Sequence, residues 1–154
     1  MKTDSHGSGS LNRAAVQATL HCLTGCAIGE VLGMVVATAL SWGDAASIAI
    51  SIVLAFFFGY ALTLSPIVRA GVPVRRALGL AFASDTVSIS VMELVDNAFI
   101  VIVPGALAAG LGDGLFWWSL AAGLLIAFVV ALPVNRLLIS RGRGHSVAHE
   151  LHAH

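Results

Sequence analysis

Two short stretches hold most of the chemistry this chain can do. Residues 21–30 read HCLTGCAIGE and residues 85–97 read DTVSISVMELVDN. Cys22, Cys26 and Glu30 recur every fourth residue, so on a helix they share one face, with His21 one step to the side. In the second stretch Asp85, Ile89, Glu93 and Asn97 make one such row, and Ser88, Met92 and Asp96 make the row beside it. Thiols, imidazoles and carboxylates bind metal ions or move protons. Carboxylates alone suit hard cations, thiolate and thioether select copper(I), and Cys with His also suits zinc. His21, Cys22, Cys26 and Met92 beside Glu30, Asp85, Glu93 and Asp96 form a soft-to-borderline ligand set. A copper or zinc ion is therefore the expected ligand, with no organic cofactor. The spacing is not that of a zinc ribbon, and no Ser-His-Asp order, GxSxG or phosphate loop accompanies it. A Cys22–Cys26 disulfide is not expected, because i,i+4 neighbours stand about 5–6 Å apart and the bridge needs about 3.5–4.5 Å between Cβ atoms.

The elements that position these groups must lie in a bilayer. Of 154 residues, 58% are hydrophobic and only 10% are charged, far below the roughly 25% of a soluble domain. Mean hydropathy is +0.93, which points the same way. About 20 mostly apolar residues cross the hydrocarbon core as a helix. Four segments qualify: Ala14–Leu40, Ala45–Leu64, Ala77–Val103 and Leu115–Leu138. Ser41 to Asp44, Ser65-Pro66 to Pro73, and Pro104-Gly105 to Gly114 carry the break signals between them. The expected fold is all-α, an integral membrane bundle of four transmembrane helices. Residues 1–13 read as a flexible polar leader without a signal-peptide cleavage site, residues 14–140 as the membrane domain and residues 141–154 as a tail.

Charge orients the bundle. Lys2, Arg13, Arg69, Arg75, Arg76, Arg136, Arg141 and Arg143 all fall before the first span, between the second and third, or at and beyond the end of the fourth. The other two connections hold only Asp44 and Asp113. Both termini are thus expected in the cytoplasm. Trp42, Trp117 and Trp118 fall at span ends, where indole rings prefer the interface. Net charge is zero, which gives no electrostatic case for nucleic acid.

Depth pairs the two polar spans, which run in the same direction. At about 1.5 Å per residue, equal distance from the start means equal depth. Cys22 and Asp85 each lie eight residues into their spans, and Glu30 and Glu93 each sixteen. His21 and Cys22 are therefore expected level with Asp85, Glu30 level with Glu93, and Cys26 level with Ile89. Thr24, Ser88 and Ser90 read as packing and hydrogen-bonding residues. The four carboxylates are either neutral structural glue or part of an ion or proton path, since each costs about 2.5–3.5 kcal/mol at a helix centre. Gly25, Gly29 and Gly33 form a GxxxGxxxG row that permits close helix packing. In the tail, His145, His149, His152 and His154 form a tract able to capture metal.

With HCLTGCAIGE in the first span and DTVSISVMELVDN in the third, the chain resembles a bacterial membrane family catalogued as domain of unknown function 4396, over about residues 14–140. The resemblance implies a four-span protein of the bacterial inner membrane. It also implies His21, Cys22, Cys26, Gly29, Glu30, Asp85, Glu93, Asp96 and Asn97 as characteristic residues. The functional expectation rests on the side chains: a small protein that binds and translocates a transition-metal cation, copper first, between the first and third spans. Its expected partners are the lipid bilayer, the metal ion and further copies of itself. The alternatives are a thiol/quinone oxidoreductase, a proton or alkali-cation path using the carboxylates, and an accessory subunit without transport of its own.

Overall fold

The computed structural model describes residues 4–141. They form four α-helices: α1 (Asp4–Ala39), α2 (Asp44–Arg69), α3 (Val74–Ile102) and α4 (Gly114–Ser140). All four are long and apolar enough to cross a membrane, and no strand occurs among the described residues. The chain is an all-α, multi-pass membrane protein.

Helix ends follow local chemistry, with two departures from the sequence reading. The polar stretch before Ala14, expected as a flexible leader, is helical from Asp4. Once the apolar run nucleates a helix, each added residue gains a hydrogen bond at little cost. Ser65-Pro66, expected as a break, lies inside α2, which continues to Arg69. Proline there forfeits one backbone hydrogen bond, while its own carbonyl still accepts from Ala70 N at 3.0 Å.

The true stop is Gly71, at φ 88°. Gly71 N donates to Val68 O at 3.0 Å and Val72 N to Ile67 O at 3.4 Å. This pairing satisfies the last carbonyls of the helix. α1 ends the same way, with Ser41 N donating to Thr38 O at 3.2 Å and Trp42 N to Ala37 O at 2.9 Å. There the left-handed position is held by Ser41 at φ 54° instead of a glycine.

The helices run up-down-up-down. α1 packs most extensively on α2, and α3–α4, α1–α4 and α2–α3 complete a ring of neighbours. α1 and α3 touch least of the substantial pairs. They are diagonal partners that face each other through the bundle axis. Apolar side chains such as Phe57, Leu94, Leu125 and Val129 are exposed on the outside, as lipid contact requires. The core is a narrow cluster of Cys22, Cys26, Ala55, Ile89, Met92, Ala127 and Ala131. Beyond it, the α3–α4 connection buries Ala106 and Ala109, and Ala109 packs with Phe116 and Leu120 over one end.

Candidate functional site: a polar line on the bundle axis

Small residues decide how close the helices come. Gly25, Gly29 and Gly33 of α1 meet Gly59, Ala55 and Ser51 of α2 in turn. A Cβ on Gly25 would stand 2.7 Å from Gly59 Cα, and one on Gly29 or Gly33 would overlap Ala55 or Ser51. The two helices therefore touch backbone to backbone, and α2 fills the glycine row. α4 presents a matching inner stripe of Ser119, Gly123, Ala127, Ala131, Asn135 and Ile139, all buried. A Cβ on Gly123 would overlap Asp96 Oδ1, so this glycine makes room for the carboxylate.

With α2 and α4 this thin on their inner faces, the side chains of α1 and α3 fill the axis. At the end bearing the arginines, the Cys22 thiol donates to Asp85 Oδ1 at 4.0 Å, and Ser84 Oγ donates to the same oxygen at 2.9 Å. His21 lies within electrostatic reach of Asp85, and its Nε2 is buried without a hydrogen-bond partner. Asn135 Nδ2 bridges α4 to α1 at this end by donating to Thr19 Oγ1 at 2.9 Å. Midway, Cys26 and Met92 share the core cluster with Ile89 and Cys22, so three sulfur-bearing side chains are buried together.

Carboxylates dominate the other half. Glu30, Glu93 and Asp96 are 7%, 4% and 1% exposed. All three lie within electrostatic reach of one another, and Cys26 reaches Glu93. Asn97 Nδ2 donates to Glu93 Oε2 at 3.2 Å and to Glu93 O at 2.9 Å. Even so, Glu30 Oε1 and both oxygens of Asp96 have no hydrogen-bond partner, whereas Thr63 stands within hydrogen-bonding reach of Asp85 and Cys26 within reach of Glu93. An orphaned buried polar atom costs about 1–3 kcal/mol.

The two stretches singled out in the sequence thus meet on one line, at matching depths. They do not converge into a cage: among the described residues no three His, Cys, Asp or Glu side chains gather to hold one metal ion. Both thiols are free. Thr24 and Ser90 bond back to their own helices, at Leu20 O and Thr86 O. Ser88, read as packing, is fully buried within hydrogen-bonding reach of Cys22 and so belongs to the polar line. Sequence reasoning also passes over Ser51, Gly59, Ser119, Gly123 and Asn135. Their signal is a small or polar residue at every fourth position of the two oily helices. The histidines at 145, 149, 152 and 154 lie outside the described residues.

No curated protein and no solved structure matches the chain. A family model does, over residues 11–144, and these take in all of α2, α3 and α4, most of α1 and every residue of the polar line. The chain belongs to the family described as domain of unknown function DUF4396.

Proposed function

We propose that this protein passes a cation through the membrane along the α1–α3 axis. The observation that supports it is the series of buried side chains, from Asp85 and Cys22 through Cys26 and Met92 to Glu93, Asp96 and Glu30, with both oxygens of Asp96 and one of Glu30 unpartnered. A resident metal centre needs its ligands gathered. A path needs sites weak and numerous enough to release what they bind. The dispersed set fits the second demand.

The three clustered sulfurs favour a soft or borderline cargo, with copper first and zinc next. In this reading Cys22, Cys26, His21 and Met92 hand the ion on at the arginine-bearing end, and the carboxylates carry it through the other half. In this reading that first end faces the cytoplasm, as the positive-inside rule asks of the arginines, and the membrane is a bacterial inner membrane. The path lies within one chain and α2 fills the glycine row, so the reading requires no second copy. The tail histidines would collect metal on the cytoplasmic side.

A second reading has its own support. Four carboxylates with no three-ligand group suit a proton or alkali-cation path in which the thiols are filler. Liposome flux separates the two. Under the metal reading, Cys22→Ser, Cys26→Ser and His21→Ala lower copper or zinc flux, and Glu30→Gln lowers it as well. Under the carboxylate reading, only Glu30→Gln, Glu93→Gln and Asp96→Asn matter. Wild-type flux no greater than that of empty liposomes, for every cation, refutes both.

A further inference from the structure

The four helices sort into two hairpins. α1 and α2 touch backbone to backbone along the glycine row, and in the other pair Gly123 of α4 takes in Asp96 of α3. The polar line runs between the hairpins, with one row of side chains from α1 and the other from α3. Two seams join them, α1 to α4 and α2 to α3, and these are the less extensive contacts of the ring. Each seam carries one hydrogen bond of the same make-up. Thr19 Oγ1 donates to Ala15 O at 2.7 Å and accepts from Asn135 Nδ2 at 2.9 Å. Thr86 Oγ1 donates to Phe82 O at 2.7 Å and pairs with Tyr60 Oη at 2.7 Å. With its own proton on that carbonyl, Thr86 is the acceptor and Tyr60 the donor. The Tyr60 ring also stacks on Phe82, with centroids 5.0 Å apart.

Both bonds lie in the arginine-bearing half, beside the Cys22 and Thr63 contacts to Asp85. At mid-depth Cys26 reaches Glu93. There Ile89 of α3, fully buried, seats against Gly59 of α2, where an added Cβ would overlap its Cδ1. In the remaining half the polar bonds stay local: Asn97 bonds to Glu93 of its own helix, and Ser119 to Leu115 of its own. A cleft opens between the hairpins at that end, lined by Glu30 and Ser51 from one and by Asn97 and Ser119 from the other.

We infer that the hairpins move as two bodies, and that the Asn135–Thr19 and Tyr60–Thr86 bonds are latches holding the arginine-bearing end shut while the opposite end stands open. The inference rests on the proposed cation path and names how access to it is controlled. A path open at one end only must open its other end in turn, and rocking of one helix bundle against another does this around a fixed site. Opening the arginine-bearing end breaks one bond in each seam and unseats Ile89. The backbone contact within the α1–α2 hairpin is left untouched. Losing one hydrogen bond between membrane helices shifts such an equilibrium about threefold. The two latches share no partner, so together they shift it about eightfold.

A native thiol reports the opening. Cys22 lies buried in the latched half, and in full-length Cys26→Ser protein it is the sole cysteine. This protein is placed in vesicles of known sidedness and treated with a membrane-impermeant methanethiosulfonate from one face at a time. From the arginine-bearing face, Thr19→Val or Tyr60→Phe should each raise the rate of Cys22 labelling about threefold, and the two together about eightfold. Thr19→Ser and Thr86→Ser keep the accepting hydroxyl and should label at the parent rate. Labelling from the arginine-free face should not rise. An unchanged rate in the double variant, an equal rise from both faces, or equal effects of Thr19→Val and Thr19→Ser overturns the latches. Tyr60 is only partly buried, so Tyr60→Phe tests its seam even where Thr19→Val disturbs folding. Labelling of the expected pattern together with absent liposome flux upholds the latches and removes the transport reading. Flux in a protein whose labelling ignores every latch variant does the reverse.

Discussion

Gly123→Ala should change sign with its neighbour. In α4 the added methyl would overlap Asp96 Oδ1 and stand 3.2 Å from Asp96 Cγ and 3.4 Å from Phe99 Cδ1. Asp96 is only 1% exposed, so its carboxylate has little free space to turn into. Overpacking of this kind costs about 1–3 kcal/mol, and forcing the Asp96 torsion about 30° off its well accounts for roughly 0.5–1.5 kcal/mol of that. Replacing a mid-helix glycine by alanine returns about 1 kcal/mol. Taking about 2 kcal/mol for the clash, the net effect in the wild type is a loss of about 1 kcal/mol. In an Asp96→Ala background the colliding oxygen is gone, and the same Gly123→Ala change should gain about 1 kcal/mol from helix propensity alone. The coupling between the two positions is then about 2 kcal/mol, well outside the roughly 0.3–0.5 kcal/mol scatter of independent sites. Reversible unfolding of the four proteins in mixed micelles measures it. Effects of Gly123→Ala that are equal in both backgrounds would refute the claim that this glycine exists to house the carboxylate.

The glycine row makes a graded prediction: Gly29→Leu should separate α1 from α2 and lower stability by more than 3 kcal/mol, beyond the about 1–3 kcal/mol typical of overpacking, because the obstacle is Ala55 backbone. A melt within a degree of wild type would count against backbone contact. Gly71→Ala should cost about 1–2 kcal/mol at its positive φ, whereas Ser41→Gly should be neutral or stabilising in the same unfolding assay. Asn135→Ala should cost about 0.6–1.7 kcal/mol by removing the hydrogen bond to Thr19, and Thr19→Ala in the same background should add little. Reporter fusions at Asp44 and Asp113 should read outside and one at Arg75 inside, and the opposite pattern would invert the proposed orientation.

Legibility from sequence differs between the kinds of residue. Ionisable groups in an apolar span are conspicuous because hydrocarbon penalises them, so Glu30, Asp85, Glu93 and Asp96 stand out at once. Counting residues from the start of each span brings Cys22 level with Asp85, and the thiol does donate to that carboxylate. Pairwise adjacency is less legible. A row on α1 and a row on α3 look like neighbours in sequence terms, yet the two helices are diagonal and meet only across the axis. What decides this is the thinness of α2 and α4, carried by Ser51, Ala55, Gly59, Gly123 and Ala127, which resemble ordinary filler in an oily helix. Pro66 misleads for a related reason. Proline near the last turn of a helix removes one bond and leaves the rest of the turn intact, so the punctuation comes five residues later, at Gly71.

The division of labour between acid-bearing and oily helices bears on how the chain enters the membrane at all. α3 brings Asp85, Glu93 and Asp96 into hydrocarbon, a burden of roughly 8–10 kcal/mol if each is carried to the centre of a lone span. α4 follows after a connection without lysine or arginine and holds no ionisable residue before Arg136. It hides Asp96 against Gly123. Asp85 and Glu93 meet Cys22 and Cys26 of α1, which is made first, so the part of the burden that waits for α4 is Asp96. A chain cut short in the α3–α4 connection should therefore insert its third helix less completely than the full chain, and Asp96→Ala should relieve that defect in a membrane-insertion assay.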